Sequence, residues 1–171
     1  MGTMLRTTIG DLFDEVASRF PDREALIDLP RGRRYSYQEL LIIVNRLARG
    51  FLKLGIRKGE HLALWTPNLS ESIITEFAAA KIGAVLMTLD TNAQPQQLGY
   101  LLRQSDSQAL IMSEGTNGTE HIEMIRQLCP EVDTSAPGQL DCRALPELRR
   151  LIVISDRTHP CMLTWKGVLE A

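Results

Sequence analysis

Four polar residues follow two apolar runs of the chain, and they are the side chains best placed to contact a ligand. They are Thr66, Asn68, Asp90 and Asn92. If the runs 61–65 and 84–89 are parallel strands, these residues share the carboxyl edge of a sheet, where α/β proteins collect ligands. Their hydroxyl, amide and carboxylate groups could hydrogen-bond a polar ligand. A structural role competes and is the one we favour, because Asn68 can cap the following helix and Asp90 can order its own loop.

The histidines and cysteines give no sign of a metal centre. The histidines are His61, His121 and His159. They share no spacing typical of metal ligands, and we predict strand-end, surface or loop positions for them. The cysteines are Cys129, Cys142 and Cys161. Their odd number and the lack of a CxxC spacing argue against a disulfide framework and against zinc, so we predict reduced thiols.

One glycine-containing segment, residues 113–119 (SEGTNGT), lies where phosphate-binding loops lie, between a predicted strand and a predicted helix. It lacks a lysine, and Glu114 would repel phosphate, so we predict an ordinary surface loop. The turn 66–70 contains no glycine, which excludes a dinucleotide-binding fingerprint there. No serine lies in a GxSxG turn. We therefore assign no catalytic, cofactor-binding or metal-binding residue.

The composition is that of a soluble globular protein of 171 residues, with 44% hydrophobic and 23% charged residues. The net charge of −2 gives no electrostatic reason to expect nucleic-acid binding. Three arginines (Arg31, Arg33 and Arg34) cluster around Gly32, and we interpret them as a solvated turn. No run is long enough to span a bilayer and no signal peptide opens the chain, so a cytoplasmic location is the default expectation.

Local signals define the elements that must position these residues. Ser36 and Glu39 form a capping box at the start of a helix that ends near Gly55. Thr8 can cap an earlier helix, and two short strands around residues 25–27 and 34–36 predict a hairpin between the two helices. Gly50 inside the second helix predicts close backbone packing, because glycine is unfavourable there without such a reason.

After the hairpin and its helices, predicted strands and helices alternate. The strands are 61–65, 84–89, 109–112 and 151–154, and the helices begin near Ser70, Pro95 and Thr119. Connections too long for hairpins predict a parallel sheet flanked by helices on both faces, with a small N-terminal β-hairpin. Residues 130–147 contain three prolines and few apolar residues, so we predict a long surface connection there.

Several blocks together resemble the adenylate-forming (AMP-binding) superfamily, and within it the acyl-CoA synthetases or fatty-acid–CoA ligases. The most specific blocks are YSYQEL (35–40) and AKIGAV (80–85) with Thr91 and Asn92, and LGIRKGE (54–60) lies between them. Later blocks resemble the medium-chain branch, namely CPEV (129–132), LPEL (145–148) and MLTW (162–165). The blocks follow one another in the order expected for that family.

The resemblance implies that residues 1–171 are the N-terminal subdomain of a large adenylation domain, truncated before its phosphate loop. The parent would join a fatty or other carboxylic acid to coenzyme A, using ATP and Mg. The family's phosphate loop ending in Pro-Lys-Gly and its catalytic lysine are absent from these residues, so we expect the chain alone to be inactive. Its partner would be the remainder of its own domain, or a second copy in a homodimer. The alternative is a free-standing, non-catalytic α/β binding module.

Overall fold

Helices and strands alternate along most of the chain in the computed structural model, which describes residues 7–115 and 120–171. The helices are α1 (Ile9–Arg19), α2 (Tyr37–Lys53), α3 (Ser70–Ile82), α4 (Pro95–Gln104), α5 (Glu120–Leu128) and α6 (Trp165–Glu170), with a 3₁₀ turn at Pro130–Asp133. The strands are β1 (Glu24–Asp28), β2 (Arg33–Ser36), β3 (His61–Trp65), β4 (Val85–Thr88), β5 (Ala109–Ser113), β6 (Arg150–Ile154) and β7 (Met162–Thr164). The predicted helix start at Thr119 lies outside the described residues.

The main sheet has five parallel strands in the order β4-β3-β5-β6-β7. Strands β1 and β2 form a separate antiparallel hairpin. The predicted α/β fold, a parallel sheet flanked by helices and preceded by a hairpin, is confirmed. β7 and α6 were not predicted, because a three-residue strand followed at once by a short helix leaves too little periodic pattern to recognise.

Both faces of the sheet are buried, as alternation along β3 shows. Leu62 and Leu64 belong to a core that includes residues of α2 and α3, while Ala63 and Trp65 belong to a second core that includes residues of α4 and α5. Successive side chains of a strand point to opposite faces, so a strand covered on both sides needs an uninterrupted apolar run. That requirement explains the sequence LALW in β3.

The predicted local signals are present. Ser36 accepts a hydrogen bond from the Glu39 backbone N–H at 3.2 Å, and the Glu39 carboxylate accepts one from the Ser36 backbone N–H at 2.8 Å. Gly83 adopts the left-handed conformation with φ of 72° at the end of α3. A Cβ atom on Gly50 would lie 2.0 Å from the carbonyl oxygen of Val168, so only glycine lets α6 pack against α2 here.

Two predictions on the C-terminal side were wrong. Residues 130–147 are more than a surface connection, because their apolar side chains enter the core beneath α5: Val132, Leu140, Cys142 and Leu145. Cys129 and Cys142 form a disulfide, so they are not reduced thiols. Only Cys161 is free, and it is buried. Widely spaced leucines in a proline-containing segment carry no period that would have revealed their burial.

The arginine cluster of the hairpin is also more than a solvated turn. Arg31 and Arg33 donate to the Glu71 carboxylate at the start of α3, at 2.5 and 3.2 Å. Arg34 pairs with Glu24 across the hairpin at 2.6 Å. The two bonds to Glu71 dock the hairpin against α3 near the carboxyl edge of the sheet, whereas the Arg34–Glu24 pair lies within the hairpin. Within the described residues, no helix is long and apolar enough to cross a membrane.

Candidate functional site

The carboxyl edge of the sheet is the candidate site, because strands β3 to β6 all end there and polar loops follow them. Thr66 and Asn68, which follow β3, line a cavity of about 330 Å³. Leu69, Ser72, Glu76 and Thr88 also line it. The Thr66 hydroxyl lies 2.6 Å from the Ser72 hydroxyl. Two of the predicted ligand contacts therefore share one cavity between β3, α3 and the end of β4.

The other two predicted contacts do not line that cavity. The Asp90 carboxylate accepts hydrogen bonds from the backbone N–H of Asn92 at 2.9 Å and from its side-chain amide at 3.3 Å. The Asp90 backbone carbonyl accepts a hydrogen bond from the Trp65 indole at 2.9 Å. Asp90 thus orders its own loop, as the structural interpretation predicted. Contact between any of the four residues and a ligand stays a prediction.

The start of α3 is capped from a distance. Asn68 does not cap it, because the N-cap residue is Leu69 and no side chain of the loop supplies a cap hydrogen bond. Instead, the Asp28 carboxylate of the hairpin accepts bonds from the Ser70 hydroxyl at 2.9 Å and its backbone N–H at 3.4 Å. Burial alone would raise the pKa of Asp28, but the bonds from Ser70 and Arg31 lower it overall. The carboxylate therefore stays charged beside the positive end of the helix.

Glu114, which follows β5, is the most heavily engaged carboxylate of this edge. It accepts hydrogen bonds from the Ser155 hydroxyl at 2.8 Å, from the Arg157 guanidinium at 3.0 and 2.6 Å, and from the His159 ring at 2.6 Å. Burial opposes its ionisation, but these partners lower its pKa to about 2. We call these four residues the Glu114 clasp. It ties the loop after β5 to the connection between β6 and β7.

The clasp changes the interpretation of the glycine-containing segment. Its described part, residues 113–115, is not a free surface loop, since Ser113 is buried and the Glu114 carboxylate is bound by the clasp. Residues 116–119 lie outside the described residues. A phosphate group would meet the charge of Glu114 at this position. The geometry therefore gives no phosphate site in the described part of the segment.

His121 was predicted at the surface, in a loop or at a strand end, but it lies in α5 and is only 2% exposed. Its ring stacks on Trp65 with centroids 3.6 Å apart. Burial lowers the pKa of His121, and bonds to the backbone of Ser113 and Thr91 oppose that shift. The buried pair joins the loops after β3, β4 and β5. No sequence signal marks this contact, because Trp65 and His121 are far apart along the chain.

The described residues bring together few groups that could act in covalent chemistry. In residues 7–115 and 120–171, no group of three histidine, cysteine or acidic side chains gathers as metal ligands would. The edge supplies hydroxyl, amide and carboxylate groups that could orient a ligand in an open cavity. The candidate site is therefore an open cavity at the carboxyl edge of a parallel α/β sheet.

Comparison with known proteins identifies the family. The AMP-binding enzyme family matches residues 13–160, so the chain belongs to that family of adenylate-forming enzymes. YngI of Bacillus subtilis (strain 168), named provisionally as an acyl-CoA synthetase, is 39% identical over 165 residues, which are 96% of this chain and 30% of that protein. The mitochondrial medium-chain acyl-CoA ligase ACSF2 of Mus musculus is 32% identical over 168 residues, which are 98% of this chain and 27% of that protein.

A solved structure supports the fold. The anthranilate CoA ligase AuaEII, in complex with anthranoyl-AMP, superposes on 98% of this chain with a TM-score of 0.80 and 20% sequence identity. The matched part is 29% of that chain. The chain thus spans about 30% or less of the length of the proteins named here. The resemblance seen in the sequence blocks is confirmed at the level of the family and the fold.

Proposed function

We propose that residues 1–171 are the N-terminal subdomain of the large domain of an acyl-CoA synthetase. The observation that carries the proposal is the family match across residues 13–160. The names of the curated relatives agree with it, since one is a medium-chain acyl-CoA ligase and the other is named provisionally as an acyl-CoA synthetase. Under this proposal the chain is one piece of a longer two-step ligase and works in the cytoplasm.

The proposed parent reaction activates a carboxylic acid in two steps. In the first, a carboxylate oxygen attacks the α-phosphorus of ATP, a bond to that phosphorus forms, and pyrophosphate leaves. In the second, the thiol of coenzyme A attacks the acyl carbon, gives up its proton, and displaces AMP. AMP leaves far more readily than an oxide ion would, which is why the adenylate is worth forming. The blocks typical of the medium-chain branch favour a fatty acid as the substrate.

In that enzyme this chain would supply structure and one wall of the cleft. The open cavity beside Thr66 and Asn68 is one part of the described edge with room for a ligand, and a second cavity of about 290 Å³ lies beside Ser155 and Asp156 after β6. Charge that develops on the phosphates needs preorganised donors or a cation nearby. Within residues 7–115 and 120–171, no three histidine, cysteine or acidic side chains gather as ligands for Mg. Because the sequence also lacks the Pro-Lys-Gly loop, we propose that the chain alone forms no adenylate.

ATP–pyrophosphate exchange tests this proposal directly. The purified chain is incubated with octanoate, ATP, Mg and labelled pyrophosphate, and the protein encoded by the longer reading frame serves as the positive control. We expect exchange by the longer protein and none above the no-protein blank for the 171-residue chain. Exchange by the chain alone would show that it holds the catalytic machinery after all. A stop codon directly after Ala171 in the source gene would instead favour the non-catalytic binding module.

A further inference from the structure

The outer edge of strand β4 carries unpaired backbone groups. Val85 and Leu89 donate their backbone N–H groups to the carbonyls of Glu60 and Leu64, at 2.9 and 2.8 Å, on the side of β3. Backbone direction alternates along a strand, so Met87 also faces β3, and the N–H and C=O groups of Leu86 and Thr88 point outward. Within residues 7–115 and 120–171, nothing pairs with these outward groups at Leu86. The same holds for Thr88.

The opposite edge of the sheet is protected. Strand β7 has only three residues, and the backbone N–H of Gly138 donates to the Cys161 carbonyl beside it at 3.4 Å. Gly138 also lies against the Leu163 side chain of β7. Proteins commonly shield sheet edges by short strands, covering segments, proline or charge. By contrast, residues 84–89 of the β4 edge read AVLMTL, with no proline and no charge.

An apolar groove runs along the unprotected edge. It has a volume of about 560 Å³, and its lining includes Ile9, Phe77, Ala80, Ala84 and Leu86. Ile9 of α1 is 68% exposed and Val85 of β4 is 50% exposed. An incoming strand would therefore find both backbone partners and apolar surface. Strand addition at a sheet edge uses this combination.

We propose that a second copy of this chain occupies the β4 edge, with the two β4 strands antiparallel about a two-fold axis. With Met87 at the axis, Leu86 of one copy lies opposite Thr88 of the other, and each pair exchanges both backbone hydrogen bonds. Charge favours this arrangement over a parallel one. The aliphatic part of the Lys58 side chain lies over Gly83, at the end of the groove where β4 begins. Glu76 lines the groove with Thr88, at the end where β4 stops. Antiparallel pairing brings each Lys58 toward the Glu76 of the other copy.

Sedimentation of the 171-residue chain over a range of concentrations tests the pairing. We expect a monomer–dimer equilibrium in the wild type. Thr88→Pro removes the backbone N–H that points away from β3 and leaves the hydrogen bonds between β4 and β3 in place. Proline is tolerated on edge strands for this reason. It should raise the dimer dissociation constant about tenfold or more. Thr88→Val keeps the N–H group and should leave the constant unchanged. A wild type that stays monomeric at all concentrations would overturn the proposal.

A second pair of variants separates a lost interface from a lost fold. Val85→Lys places a charge on the edge and should also weaken the dimer, whereas Tyr100→Lys, on an exposed position of α4, should not. Circular dichroism checks that each variant is folded. Lys58→Glu alone should weaken the dimer, and adding Glu76→Lys should restore it. Equal weakening by Tyr100→Lys, or failure of the double charge reversal to restore dimerisation, would contradict the antiparallel arrangement.

Discussion

The two halves of the carboxyl edge differ in how their polar groups are used. After β5 and β6, the Glu114 carboxylate is bound by three side chains and has little capacity left for a ligand. After β3, Thr66 and Asn68 border an open cavity, and Asn68 makes no cap bond to α3. We call the part after β5 and β6 the closed half, because the polar groups around Glu114 bind one another, and the part after β3 and β4 the open half, because Thr66 and Asn68 border the cavity. A ligand contact by Thr66 or Asn68 in the open half stays a prediction.

A buried aromatic contact joins the two halves, in addition to the backbone ladder between β3 and β5. Trp65 at the end of β3 stacks on His121 of α5, and its indole also bonds to the carbonyl of Asp90 after β4. The contact places a ring from the open half against a helix of the closed half. Substitution of Trp65 should therefore destabilise both halves, whereas substitution of a residue within one half should destabilise that half alone.

Trp65→Ala should have the largest effect. Trp65 is fully buried, so truncation should lower the free energy of unfolding by about 3–5 kcal/mol. Trp65→Phe keeps an aromatic ring and loses mainly the indole hydrogen bond, so the loss should be far smaller. Urea denaturation followed by circular dichroism measures both. A loss below about 1 kcal/mol for the alanine variant would show that Trp65 does not join the two halves.

Removal of the disulfide should cause the second-largest loss in the free energy of unfolding, and it acts on the closed half. Cys129 and Cys142 are separated by 13 residues and link the end of α5 to the segment beneath it. A closed loop of this size predicts a loss of about 3 kcal/mol in the Cys129→Ala, Cys142→Ala double variant. The measurement is urea denaturation with and without dithiothreitol. Dithiothreitol should destabilise the wild type and leave the double variant unchanged, and an insensitive wild type would mean that no bond forms.

Glu114→Gln should have a moderate, pH-dependent effect. The Glu114 pKa is about 2, against an ordinary 4.5, so the charged form stabilises the fold above pH 4.5. That contribution is lost as the pH falls from 4.5 toward 2. Because Arg157 is largely exposed, the loss at neutral pH should be only about 1 kcal/mol. Urea denaturation between pH 6 and pH 3 should show a smaller pH slope in the variant. Equal slopes would exclude a stabilising role for the charge.

Asn68→Ala should have the smallest effect on stability. Asn68 is exposed and supplies no cap to α3, so the free energy of unfolding should change by less than about 0.5 kcal/mol. If the open half receives a ligand in the longer enzyme, the same change should raise KM for ATP or the acid. The free energy of unfolding and KM of this variant together show whether Asn68 contacts a ligand or supports the fold. A large loss of stability with unchanged kinetics would assign Asn68 to the structural class.

Much of the fold could be predicted from short-range signals. The β3 strand was placed correctly because its apolar run is flanked by turn residues, and α2 because Ser36 and Glu39 cap it. The candidate site was harder to predict from the sequence. Asn68 has the residue type of a helix cap, but the structure assigns that role to Asp28, 42 residues away from Ser70. A cap supplied by another element leaves no mark at the helix itself.

The sequence by itself determined most of the elements up to β6, their order and the family, because caps, turns and apolar periods depend on residues only a few positions apart. The tertiary structure alone decided the strand order, the Glu114 clasp and the Trp65–His121 stack. Glu114 and Arg157, for example, are 43 residues apart and meet only because β5 lies beside β6. The same neighbour relations left β4 at an open edge of the sheet. Long-range contacts follow from how the strands are arranged, and residue type alone does not specify that arrangement.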